Sequence, residues 1–68
     1  MTVNALKELA NAGCNISIDN EIPSNALSDI ATIIKGKGTT LTVKADQFAL
    51  AELKSVAALL GDHFNIIA

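Results

Sequence analysis

Three sets of side chains in this chain of 68 residues have types that could do chemistry. Cys14 and His63 are the single cysteine and the single histidine, a combination that elsewhere makes a nucleophile and its base. Such a pair needs hydrogen-bond reach, about 2.6–3.2 Å. Each follows a glycine, Cys14 directly and His63 after one residue, at the start of an expected strand. With a third strand between them they would be about 9–10 Å apart, too far for proton transfer. They are expected as a half-buried thiol and a surface imidazole.

Lys35-Gly36-Lys37-Gly38-Thr39-Thr40 has the composition of a phosphate-binding loop. Its polarity is reversed. Phosphate loops run from strand to helix, so that a helix N-terminus faces the anion, and this one runs from helix to strand. The lysines then complement a helix C-terminus. Asp19, Glu21, Lys44 and Asp46 form a third set, at the carboxyl ends of the first two expected strands, where open α/β sheets place ligands. Two of its carboxylates could ligate a hard cation, but turn and capping duties account for Asp46 and the neighbouring Ser24. No catalytic, cofactor-binding or metal-binding residue is therefore assigned. One Cys and one His are also too few for a structural zinc site.

The elements that would carry these residues repeat. Leu6–Ile18, Leu27–Val43 and Leu53–Ile66 each read as an apolar-faced helix, a glycine break and a strand. Leu6, Leu27 and Leu53 correspond, as do Leu9, Ile30 and Val56, and Ala10, Ala31 and Ala57. Gly13, Gly38 and Gly61 each precede the inward residues Ile16, Leu41 and Phe64 by three positions. Thr2 or Asn4, Ser24 and Asp46 are the expected N-caps. Gly36 and Gly38 are expected to break the second helix, and Gly61 the third. Strands are expected at 14–19, 39–44 and 63–67, with Ile16, Ile18, Leu41, Val43, Phe64 and Ile66 inward.

Helix-then-strand units of roughly 20–25 residues are the mark of stacked α/β repeats. Right-handed connections make neighbouring strands parallel. The expected fold is one α/β domain over 1–68 with units near 2–19, 24–44 and 46–68. It has two layers: a three-stranded parallel sheet in the order 1-2-3, and helices on one face. The repeat resembles the leucine-rich repeats of the ribonuclease-inhibitor type, where an LxL strand leads through xxN and a bend to an amphipathic helix. Leu41, Val43, Asp46 and Phe48 follow that order with Asp for Asn. In the first unit Asn20 comes one place early and Pro23 replaces an apolar residue, and glycine stands three before each strand where the family has Leu. The resemblance covers about two repeats and implies a solenoid-like arrangement with an interaction role.

Bulk properties limit the function classes. Half the chain is apolar, only 3% is aromatic, and the net charge is −2. An acidic balance argues against a surface built on nucleic-acid phosphates. No apolar run approaches the roughly 18–20 residues of a membrane span, and the N-terminus lacks a basic start and long apolar segment. The lone thiol fits a reducing compartment, so the default location is the cytoplasm, and Met1 suggests a complete small reading frame. A core this small and without a disulfide often draws stability from association.

The outer face of the sheet should carry a polar row, Ser17, Thr42 and Asn65, flanked by Asn15, Asp19, Thr40 and Lys44, with Ile67 adding apolar surface. Ile33 and Leu59 share a helix flank that lacks a neighbour at one end of the stack. The expected function is a small non-enzymatic interaction or oligomerisation module, a homodimer or larger through an edge strand or that flank, without nucleic acid, membrane or cofactor. The alternatives are a ligand- or metal-binding protein or enzyme with a composite site at the carboxyl ends of the strands, and a repeat fragment without separate activity.

Overall fold

A computed structural model describes residues 2–68. In chain order it contains α1 (Val3–Asn11), β1 (Ile16–Ile18), α2 (Ser24–Lys37), β2 (Leu41–Lys44), α3 (Leu50–Leu60) and β3 (Phe64–Ile67). Single 3₁₀ turns occupy Ala45–Gln47 and Gly61–His63. The strands form a parallel sheet in the order β1-β2-β3. Ile16, Leu41 and Phe64 are in register, and so are Ser17, Thr42 and Asn65. This is the alignment that the glycine spacing implies.

Local chemistry explains the element ends. The Thr2 side chain accepts the Ala5 N–H at 3.1 Å and caps α1. At its other end the Cys14 N–H donates to Leu9 O and the Gly13 N–H to Ala10 O. These are the two bonds of a Schellman cap, and Gly13 supplies the positive φ, +90°, that it requires. The end of α2 repeats the device: the Thr39 and Gly38 N–H groups donate to Ile34 O and Lys35 O, with Gly38 at φ +71°.

The core joins one stripe of each helix to alternate strand residues. Ala10, Leu27, Ile30, Ala31, Ile34, Val56 and Leu60 pack with Ile16, Ile18, Leu41 and Val43. Ile22 and Phe48, which follow β1 and β2, close over the same cluster. Consecutive helices touch, α1 against α2 and α2 against α3.

Several expectations need correction. Ser24 is the first residue of α2, with Pro23 at the N-cap and no side-chain cap. Asp46 lies in the 3₁₀ turn, and α3 starts after Ala49. Gly36 does not break α2, which continues to Lys37 because a glycine with helical φ weakens a helix without ending it. The strands are shorter than expected, leaving Cys14, Asn15, Thr39, Thr40 and His63 outside them. Ala49, Ala57 and Leu9 are exposed rather than inward. The number of neighbouring helices explains the last two. The middle helix has a neighbour on each side and buries both Ile30 and Ala31, whereas α1 and α3 have one neighbour each and bury only Ala10 and Val56 of the matching pairs.

Candidate functional site

The chemistry-bearing residues remain dispersed. Cys14 precedes β1, His63 precedes β3, and β2 runs between those strands. Both side chains are exposed, so the thiol is not half-buried as expected. Lys35 and Lys37 occupy the last turn of α2, beside the αL cap at Gly38. At the carboxyl ends of the strands, Asp19 lines a shallow hollow of about 190 Å³ with Leu6, Ser17, Ile18, Asn20 and Ile22. Asp46 accepts a long hydrogen bond, 3.4 Å, from Gln47, and Lys44 is exposed. Among the described residues no cluster of three or more His, Cys, Asp or Glu could hold a metal ion.

Polar contacts between elements serve the fold. The Asn15 Oδ1 accepts the Thr40 N–H at 2.9 Å, while the Ile16 N–H donates to Thr40 O at 3.0 Å. Asn15 thus extends the β1–β2 ladder by one side-chain bond. Lys7 Nζ and Asp29 Oδ2, 3.1 Å apart, link α1 to α2 across a solvated surface. Glu52 does two tasks. Its Oε1 accepts the Ala49 N–H at 3.2 Å, and its Oε2 accepts from the Ser24 hydroxyl, tying the start of α2 to α3. Sequence reasoning missed Glu52, although an acid three residues after a helix start is a known capping signal.

The surface residues divide by edge. Ser17 and Asn65 are exposed on the strand row, with Thr42 partly covered between them. Thr40 lies before β2 and is engaged with Asn15. Leu59 is partly buried and lines an open groove of about 200 Å³ between α2 and α3 with Leu27, Ser28 and Ala31. The uncovered apolar surface lies elsewhere. Leu50 is 72% exposed, Ile67 52% and Ile66 46%. Ile18 and Val43, at the same register as Ile66, are 4% and 0% exposed. Ile22 and Phe48 close over the first two; Ile66 has no counterpart to them among the described residues.

The backbone at this edge follows from the ladder. Since Ile16 bonds to Thr40, residues 16 and 18 of β1 face β2. In a parallel sheet successive residues direct their N–H and C=O groups to opposite sides. Leu41 and Val43 therefore face β3, Asn65 and Ile67 face back to β2, and Phe64 and Ile66 direct their polar groups to the free edge. Comparison with protein-family models, with curated proteins and with solved structures found no match for this chain.

Proposed function

We propose that the chain is a small, non-enzymatic self-association module, built from three equivalent helix–strand units with their helices on one face of the sheet. Three features support that architecture: the shared register of Ile16, Leu41 and Phe64, the contacts between consecutive helices, and a core drawing on alternate strand residues while Ser17 and Asn65 face solvent. Leucine-rich repeats of the ribonuclease-inhibitor type stack in this way, and such solenoids bind partners on their strand-lined side. Here that side presents Ser17, Thr42, Asn65 and Ile67. The exposed, unpaired Cys14 fits a reducing compartment such as the cytoplasm.

One observation carries the function: β3 is an edge strand whose apolar residues, Ile66 and Ile67, are about half exposed. Native edge strands are normally blunted by charge, proline, bulges or extreme shortness. Phe64-Asn65-Ile66-Ile67 carries no charge and no proline. Sedimentation equilibrium across roughly 10 µM to 1 mM is the test. A mass rising to that of a dimer is expected, and a monomer throughout would overturn the proposal. Specific thermal stabilisation by a divalent metal or a nucleotide would favour a ligand-binding protein instead.

A further inference from the structure

We infer that the partner of β3 is β3 of a second copy, paired antiparallel about a two-fold axis that passes between the two Asn65 residues. This rests on the self-association proposed above and specifies its geometry. Directly opposed residues of an antiparallel pair point to the same face. Phe64 and Ile66 belong to the core face, Asn65 and Ile67 to the outer one. A pairing that keeps apolar against apolar must therefore match even-numbered residues with even and odd with odd, and its axis falls on a residue. Centring on Asn65 sets each Phe64 opposite the other copy's Ile66. These are the residues whose N–H and C=O groups face the free edge, so the two pairs use all of those groups. The phenyl ring also covers the isoleucine that nothing in its own chain covers. Centring on Ile66 would set Phe64 opposite Ala68, beyond the strand end.

Two observations select a second β3 over the opposite edge of the sheet. The β1 edge is three residues long, is followed by Asp19, and buries Ile16 and Ile18 to 5% and 4% exposure, so it has little apolar surface left to lose. The helix above β3 continues the patch. Glu52, Ser55 and Leu59 of α3 line the groove with α2, and helical spacing then puts Leu50 and Ala57 on the opposite flank. That flank has no acidic residue, Lys54 lies at its rim, and both Leu50 and Ala57 are exposed. The two-fold axis brings these flanks side by side over the joined sheet. A contact one short strand long and two layers deep covers on the order of 300–500 Å² per copy, below the roughly 800 Å² of a standard interface. A contact this small leaves little surplus over the cost of association, and half-association on the order of 100 µM is expected.

The test combines cross-linking with amide exchange. Asn65 is a non-hydrogen-bonded pair in this register, with Cα atoms about 4.5 Å apart, within disulfide reach. Asn65→Cys in a Cys14→Ser background should oxidise to a covalent dimer at about 300 µM. Ser17→Cys in the same background, at the matching position on β1, should not. In the unmodified chain the Phe64 and Ile66 amides, which face the free edge, should be nearly unprotected at 10 µM and exchange several-fold more slowly at 1 mM. A dimer by sedimentation with neither the cross-link nor the amide protection would overturn this pairing and leave self-association standing. A monomer at all concentrations would overturn both.

Discussion

Two glycines near the end of α2 separate what a backbone position needs from what it tolerates. Gly38 has φ +71° and Gly36 does not have a positive φ, yet a Cβ at either would meet nothing within 4 Å. Any difference between them is therefore conformational. Gly38→Ala forces a side chain into the left-handed region and should destabilise by about 1–2 kcal/mol. Gly36→Ala removes chain entropy from a helix interior and should stabilise by about 0.5–1 kcal/mol. Urea unfolding of the two variants checks this, and equal effects of one sign would contradict the assigned backbone. Ile34 sets the scale for side chains. It is fully buried under the Gly38 cap, and Ile34→Ala should cost about 2–5 kcal/mol. A 68-residue chain has about 3–10 kcal/mol of stability at typical values, so this variant should lose a large share of it, as a urea titration followed by far-UV circular dichroism would report.

At the scale of the element, α3 differs most from what the residues announced. Its N-cap is Ala49, which has no side-chain acceptor for the first-turn N–H groups, and Glu52 accepts the Ala49 N–H while bonding Ser24 of α2. Glu52→Ala should therefore destabilise by about 1–2 kcal/mol, a lost cap plus an inter-helix bond. Adding Ala49→Asp should recover about 0.5–1 kcal/mol through a conventional cap. Failure of that second change to help would mean that the first turn of α3 is not limited by its lack of a side-chain acceptor. The same residues show what could be foreseen. Strand order and register were legible because Gly13, Gly38 and Gly61 impose one spacing on three alternating strands. The N-caps of α2 and α3 were not, since Ser24 and Asp46 have suitable side chains but lie one residue inside α2 and in the turn before α3. Exposure was legible only in part: Ala57 sits about 100° round the helix from Val56, and burial of that second position depends on a neighbouring helix, which α2 has on each side and α3 has on one. Nothing in a helix's own sequence states how many neighbours it will have. The same blindness applies to the residues proposed for association, because Ile66 alternates as correctly as Ile18 and Val43 and differs only in its exposure.

For the whole molecule, association and stability are one equilibrium. A dimer that forms only between folded chains stabilises them by RT ln of total over free chain, about 0.9 kcal/mol at 1 mM total when half-association lies at about 100 µM, because free chain is then about 200 µM. For a domain this small, 1 kcal/mol moves Tm by about 4–8 °C. Raising the protein from 10 µM to 1 mM should thus raise Tm by about 3–7 °C, and scanning calorimetry at the two concentrations measures it directly. Ile66→Lys tests the origin of the shift. In the isolated chain residue 66 is 46% exposed, and a lysine there can bury its stem and reach water with its ammonium. In the joined sheet the same ammonium would lie between two strands opposite Phe64 of the second copy, where an inward-pointing charge is the device that natural sheets use to keep edges apart. The variant should melt close to the dilute unmodified protein and show no concentration dependence. If Ile66→Lys kept the full shift, the contact would lie away from β3. The outer row of Ser17, Thr42 and Asn65 would then be the surface to alter next, because it is the remaining strand-lined face and none of its side chains contributes to the core.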